Sequence, residues 1–317
     1  MIKKLLIVGF GSIGKKHHDL IKSNFKKIDL RVLRTKLKKR EKNVKFFFNL
    51  NDAIKFNPDL VLICSSADKH FFYLKKFISN KRKILIEKPI FDKIEDYSFK
   101  GLNKDKILIG YFLRFHPMIL YLKKLVKKNY NQIFYTRIEA GYNLKYWRKK
   151  RNYKSTVSAN SKTAGGVLFE LSHEIDLAYF LFGNPSKVFC NTAKFSSLDI
   201  NVEDFAEFQL IYPKRNISVN LNFIEETYNR NMRILFNGGY IECDLFEGIV
   251  KYYKNKKLFI KKFKNDFENV YLKQLKYFID QNKFLDKKVS TFNSAFSVLK
   301  IIEKLRTSSV EKKIVQV

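Results

Sequence analysis

The strongest constraint on the fold lies at residues 9–14. There Gly9, Gly11 and Gly14 form G-x-G-x-x-G directly after the apolar, β-branched run of residues 2–8 and before an amphipathic stretch. Between a strand and a helix, the three glycines have separate jobs. Gly9 makes the tight turn, Gly11 lets backbone N–H groups approach a pyrophosphate, and Gly14 lets the helix close on the strand. Phe10, Ser12 and Ile13 complete the loop, and the helix N-terminus presents orphan donors and its positive dipole end to phosphates. Alone the motif is common. Its placement between a first strand and a first helix predicts a dinucleotide-binding unit.

The pattern that follows supports this. Residues 29–34, 44–48, 58–66 and 82–90 read as strands, and 49–56 and 67–79 as helices. Such alternation predicts an α/β fold with a parallel, doubly wound sheet, whose ligands sit beyond the carboxyl ends of the strands. Ser65, Ser66 and Glu87-Lys88-Pro89 fall at such ends and are expected to face the cofactor. A lysine there can present an ammonium to a substrate oxygen and exchange a proton with it. At the end of the second strand, where NAD-preferring enzymes carry an acid, this chain has Arg34 and Thr35. A guanidinium beside a hydroxyl suits a 2′-phosphate, so NADP is favoured over NAD. The other reading makes Arg34 one more solvated cation among 63 Lys and Arg.

The later chain changes character. Residues 132–142, 187–195, 204–212, 216–225, 231–237 and 240–245 read as strands with partial alternation, and helices are expected near 268–283 and 292–306. Such partial alternation is consistent with a half-covered sheet, one face packed against helices and the other left open for subunit contacts. The expected division is a dinucleotide-binding domain over 1–116 and an α+β substrate and oligomerisation domain over 117–317. Three widely spaced cysteines without C-x-x-C spacing point to a reducing cytoplasm and no metal. The first apolar run is cut by glycines and lacks a cleavage site, and no stretch is long enough to span a bilayer. The formal net charge of +33 suggests nucleic acid or an anionic surface. Its lysines, however, are spread evenly, with no basic arm or nucleic-acid motif, so a general lysine bias is the favoured reading.

In order, "GFGSIGKKH", "CSSADKHFFYL", "ILIEKPI", "GYFLRFHPMI", "YWRKKRNYKSTVSA" and "GGVLFELSHEIDLAYFLFG" resemble the landmarks of the glucose-fructose oxidoreductase / inositol dehydrogenase (Gfo/Idh/MocA) family. "VEDFAEFQL" and "NGGYIECDL" complete a likeness that runs nearly end to end. It implies a second, α+β domain built on a large, mostly antiparallel sheet, and hydride transfer between a nicotinamide and a hydroxyl or keto group of a sugar, sugar nucleotide or cyclitol. The "NYKSTVSA…GGVLFELSHEID" block is similar to members linked with surface-polysaccharide and nonulosonic-acid sugars. The resemblance also implies Lys88 and His173 as the proton-handling pair, and adds His70, Trp147 and Arg148 to the cofactor-binding set.

Glu170, His173 and Asp176 are spaced by three, which would align them on one helical face. The commoner family spacing puts an acid four before the histidine, where this chain has Phe169. Glu170 is thus expected to orient His173 or to bind sugar hydroxyls. Arg114 and His116 are expected to reach the substrate, and Asp176, placed with them, is expected in a supporting role, paired with a cation or backbone donor near the site. Rival outcomes stay open: a glycoside-cleaving or non-sugar carbonyl-reducing activity on the same fold, or a non-catalytic NADP-binding basic protein. The expected partners are a sugar-like small molecule and further copies of the chain, as a dimer or tetramer.

Overall fold

The computed structural model describes residues 3–34, 41, 43–95, 103–148 and 151–317. These fall into two units, Met1–Phe112 with Glu268–Phe296, and Leu113–Phe267 with Ser297–Val317.

In the first unit β1 (Lys3–Val8) leads through α1 (Ser12–Asn24) to β2 (Ile28–Leu33) and β3 (Phe46–Phe47). Then α2 (Leu50–Lys55), β4 (Leu60–Ile63), α3 (His70–Phe77), β5 (Lys83–Ile86) and β6 (Ile107–Ile109) follow. The strands form one sheet, parallel throughout, in the order β3-β2-β1-β4-β5-β6. The winding reverses between β1 and β4, and sheets of this kind take ligands at the crevice beyond that reversal. Leu5–Val8 and all of β4 and β5 are buried, as strands covered on both faces must be. The helix expected over 67–79 begins as a 3₁₀ turn, Ala67–Lys69, before α3.

The second unit holds α4 (Pro117–Asn129), β7 (Ile133–Gly141), α5 (Val167–Glu170) and α6 (Ser172–Phe182). They are followed by β8 (Lys187–Ala193), β9 (Phe205–Tyr212), β10 (Arg215–Asn222), β11 (Asn229–Phe236), β12 (Gly239–Asp244), β13 (Ile249–Lys254) and β14 (Lys257–Lys262). The chain then runs through α7 (Phe267–Asp280) and α8 (Phe292–Glu311) to β15 (Val315–Gln316). The nine strands lie in the order β14-β13-β12-β11-β7-β10-β9-β8-β15, antiparallel except for β7 beside β10.

One face is apolar. In β9, Ala206, Phe208, Leu210 and Tyr212 point into the core while Glu207 and Gln209 point out. A register shift opposite β11 leaves Phe134 unpaired and exposed, so Ile133 and Ile138 both stay buried. Helix α8 is pinned to β8 by Ser308 Oγ and Ser309 Oγ, which accept from the N–H groups of Cys190 and Thr192 at 3.0 Å each. The outer face carries ion pairs, such as Arg233–Glu242 at 2.9 Å. The β13–β14 hairpin has no counterpart among the expected strands. Every residue of β14 is exposed, so it carries no one-sided pattern to read.

The expected single boundary between residues 116 and 117 differs from the observed units, because residues 268–296 return to the first one. Phe278 is wholly buried there, and Leu108 pairs with Thr291. The carbonyl groups at the end of α7 receive three lysines from the amino edge of the sheet. Lys83 Nζ donates to Ile279 O at 2.7 Å and Gln281 O at 2.8 Å, Lys3 Nζ to Ile279 O at 3.0 Å, and Lys106 Nζ to Asn282 O at 2.7 Å. Cations suit this negative end of a helix.

Burial, with repulsion from Lys3 and Lys106, brings Lys83 from 10.5 down to about 8, and Asp280 opposes the fall. Between those values the unfolded chain binds the extra proton, so stability rises with pH. Below about 8 the cost of the buried charge is present in full. Thermal melts of wild type and Lys83→Met are expected to show this rise from about pH 8 to 10.5 in the wild type alone. Parallel curves would refute it.

Candidate active site

The glycine loop has the geometry its spacing demands. Gly9 has φ +93°, and a Cβ there would stand 2.9 Å from the backbone of Cys64 and Ser65. A Cβ on Gly14 would collide with Gly9 O, whereas one on Gly11 would meet nothing within 4 Å. The open space beside Gly11 thus lies at the N-terminus of α1, whose first N–H groups receive no side-chain cap. This is room and polarity for a pyrophosphate, and the chain fits a dinucleotide. Gly11→Ala is therefore expected to leave the melting temperature near wild type but abolish cofactor binding by calorimetry. Gly14→Ala is expected to lose both. Equal behaviour of the two variants would contradict this division of roles.

Around the loop, Phe10 meets His18 and Phe46 edge-on, with centroids 5.5 and 5.3 Å apart, and the Arg34 guanidinium stands 6.0 Å from the Phe46 ring. Arg34 follows β2, its N–H bonded to Phe47 O. Thr35 lies outside the described residues. At the end of β4, Ser65 Oγ is buried with no hydrogen-bonding partner among the described residues, leaving its capacity for a bound group. Ser66 opens the 3₁₀ turn before α3.

At the end of β5, Glu87 is buried, Lys88 half-buried, and the Lys88–Pro89 peptide is cis. His70 stands behind both strand ends rather than facing a ligand. It is buried, with Nε2 3.0 Å from Ser65 O and Nδ1 3.0 and 3.1 Å from Pro89 O and Ile90 O. Burial pushes His70 below its usual proton affinity, against the pull of those carbonyls. The expectation that it binds cofactor is corrected: it joins the two strand ends through their backbone. Local pattern left one partner unread. His17, wholly buried on α1, brings Nε2 within 2.6 Å of Glu87 Oε1.

In the second unit, the helix expected to carry Glu170, His173 and Asp176 on one stripe is broken. Leu171 sits at φ −97°, ψ 27° between α5 and α6. Glu170 ends α5 half-buried, and His173 stands in the first turn of α6, only 6% exposed. Ser172, Glu174 and Asp176 are buried beside it. The Arg230 Nε lies 2.8 Å from Glu174 Oε1, a pairing that periodicity gave no reason to expect.

Asp176 and Arg114 do not reach out to a substrate. Both are almost wholly buried, and the guanidinium forks onto the carboxylate, Nε to Oδ2 at 2.9 Å and NH2 to Oδ1 at 2.6 Å. Burial raises the Asp176 carboxyl while Arg114 pulls it down. His116 is likewise withdrawn: wholly buried, its Nδ1 accepts from Met118 N at 3.1 Å and caps α4, where Pro117 occupies the first turn. Trp147 donates from Nε1 to Tyr142 O at 2.9 Å and sets its ring edge against Phe223; Arg148 follows it, half-buried. Among the described residues no group of three or more His, Cys, Asp or Glu is placed to hold a metal, and no helix is long and apolar enough to cross a membrane.

The first unit thus offers a phosphate-binding turn and a strand-end ammonium, and the second an enclosed imidazole within a polar cluster. Comparison with known proteins supplies the family. Residues 3–98 match the family model for the oxidoreductase family with an NAD-binding Rossmann fold, and residues 133–242 match the Gfo/Idh/MocA C-terminal domain. No curated protein matches the sequence.

Among solved structures, the WlbA dehydrogenase from Bordetella pertussis, in complex with NADH and UDP-GlcNAcA, has a similar fold. Its TM-score is 0.77 at 16% identity, over 100% of this chain and 99% of that one. A myo-inositol dehydrogenase from Corynebacterium glutamicum gives 0.78 at 16% identity, over 100% and 99%. An NAD-binding oxidoreductase from Klebsiella pneumoniae gives 0.80 at 11% identity, again over 100% and 99%. Two consecutive family models and a shared two-part fold lead to one assignment: the chain belongs to the Gfo/Idh/MocA family of NAD-binding oxidoreductases.

Proposed function

We propose that the chain is a dehydrogenase or reductase that moves a hydride between NADP(H) and a hydroxyl or keto group of a sugar, sugar nucleotide or cyclitol. The observation that carries the reading is Glu87-Lys88-Pro89 at the buried end of β5, in a sheet whose glycine loop is open to a pyrophosphate. The nicotinamide, when bound, supplies the hydride chemistry. Lys88 and His173 handle the proton of the substrate oxygen: an ammonium lowers the cost of a developing alkoxide, and an imidazole titrates near neutral pH. Glu170 orients His173 or binds a sugar hydroxyl. Trp147 and Arg148 serve the cofactor. The WlbA complex with a UDP-sugar acid supports a sugar nucleotide as substrate, in keeping with a role in surface-glycan sugars.

The preference for NADP rests on Arg34, which directly follows β2 where an acid would favour NAD. The outward face of the nine-stranded sheet is left for assembly with further copies as a dimer or tetramer, which the mass in solution tests. We read the chain as a cytoplasmic enzyme, a reading that its three buried, free cysteines support.

The deciding experiment supplies UDP-sugars, free sugars and cyclitols with each oxidised and reduced cofactor and follows nicotinamide absorbance against product. Net redox change matched one-to-one to product is expected. Product without net change would favour glycoside cleavage, and bound cofactor without turnover a non-catalytic protein. In the same assay Arg34→Ala is expected to weaken NADPH binding roughly tenfold or more, the loss of one charge-assisted contact, and to leave NADH nearly unchanged. Equal loss for both cofactors would remove the case for NADP.

A further inference from the structure

Lysines far apart in the sequence are gathered at one place in the first unit. A cleft of about 570 Å³ opens between α1, the start of β2 and the stretch before β3, and Lys4, Lys22, Lys26, Lys27 and Lys45 line it. Asp29 is the one carboxylate among its described lining residues, and Arg31 Nε already meets it at 3.0 Å. Two of the lysines are held in place: Lys4 Nζ donates to Phe56 O at 3.3 Å and Lys22 Nζ to Asn43 O at 3.2 Å. The negative end of α1 accounts for Lys22 in its last turn, but not for Lys4 on β1 or Lys45 before β3. The remaining wall is apolar, with Ile21 wholly buried and Phe25, Ile28 and Leu30 half-buried. While β4 and β5 are buried throughout, the first four residues of β2 are half-buried, and β3 pairs with it only at Val32 and Leu33. Val32 N–H donates away from β1 to Lys45 O at 3.0 Å. Leu30, two residues earlier, turns its N–H to the same side and meets no strand there.

We propose that this cleft is a second nucleotide site, separate from the glycine loop, which takes a nucleoside di- or triphosphate. Cations gathered round one opening repel one another, and a polyanion relieves that repulsion. Lysine binds phosphate as a compact point charge, and a polyphosphate carries its charges on adjacent groups, as a set of lysines requires. The volume is that of a cleft for a small molecule. The apolar wall receives the flat face of a base, and the Leu30 N–H is a donor for an oxygen of base or phosphate. Neither the glycine loop, nor Arg34, nor the Lys88 strand end lines the cleft, so the site stands whatever the reaction at Lys88. The two sites share α1, with the glycine loop at its first turn and the cleft along its second half.

The test titrates ATP by calorimetry into the full chain saturated with its nicotinamide cofactor, at about 0.15 M salt. ATP is expected to bind beside the cofactor, tripolyphosphate more weakly, and adenosine not at all. Lys26→Glu with Lys45→Glu is expected to weaken ATP roughly tenfold or more, since two charge-assisted contacts become repulsions, and to leave cofactor affinity near wild type. A control with the same change of charge, Lys257→Glu with Lys262→Glu on the exposed β14, is expected to bind ATP as wild type does.

Equal loss of ATP in the cleft variant and the β14 control would show attraction to the whole basic surface and overturn the proposal. ATP that binds only when the cofactor is absent belongs to the glycine loop, and that result overturns it too. So does a single-stranded oligonucleotide that binds more tightly than ATP and is weakened by the same cleft variant. Should the reversed charges unfold the chain, Lys26→Gln with Lys45→Gln is expected to weaken ATP in the same direction, and an unchanged titration there overturns the proposal equally.

Discussion

Lys88→Ala is expected to lower kcat by roughly 10²- to 10⁴-fold, the range that a positioned proton donor or acceptor contributes, while NADP(H) still binds. The ammonium stands at the end of β5, away from the glycine loop and Arg34 in sequence, so the phosphate contacts survive its loss. Lys88→Arg is expected to rescue little, because a guanidinium keeps the charge but does not release its proton at any working pH. His173→Ala is expected to act in the same range. His173 is 6% exposed in the first turn of α6, among buried polar neighbours, so a smaller side chain also leaves a cavity. The readout is therefore kcat together with cofactor affinity and melting temperature. Wild-type turnover in either variant would sink the assignment of that residue.

The second large effect concerns stability. Asp176→Ala would take from the buried Arg114 guanidinium the carboxylate it forks onto, with the Phe180 ring centroid 4.8 Å from its central carbon. Breaking one side of such a pair costs about 3–5 kcal/mol. For a domain of this size that is a fall in melting temperature on the order of 10 °C. The double replacement Arg114→Met with Asp176→Leu removes both charges and is expected to cost much less than Asp176→Ala alone. That inequality, read from urea or thermal melts, is the test. A double variant as unstable as the sum of its singles would show that the two residues act independently.

Much of the first unit was legible because its constraints are local. Gly9, Gly11 and Gly14 are fixed by a turn, a close approach and a helix contact within six residues. The strand runs are buried on both sides and read as unbroken apolar segments. Misreadings arose where a residue's partner lies far along the chain. Arg114 and Asp176 are 62 positions apart: Arg114 alone reads as a cation seeking a ligand, and Asp176 as an acid whose cation the sequence does not name. His17 and Glu87 are 70 apart, and only their meeting gives either a role. The break at Leu171 was invisible for another reason: three-residue spacing fits one helix as well as two short ones. Alternation marked β9 clearly and β14 not at all, since a strand exposed along its whole length has no side to prefer.

The return of residues 268–296 to the first unit bears on how the chain can be made and divided. Lys3 Nζ is bonded to Ile279 O across 276 positions, so the opening strand and one of its supports emerge from a ribosome at opposite ends of synthesis. Closing so wide a loop adds little to the equilibrium cost, since each doubling of length adds only about 0.6 kcal/mol. Its effect falls on timing. A fragment ended at residue 116 would display the sheet's amino edge with Lys3, Lys83 and Lys106 still lacking the carbonyls they cap. The part of the molecule that begins first is completed late, and an independent nucleotide-binding fragment would have to carry its distant α7 segment grafted back on.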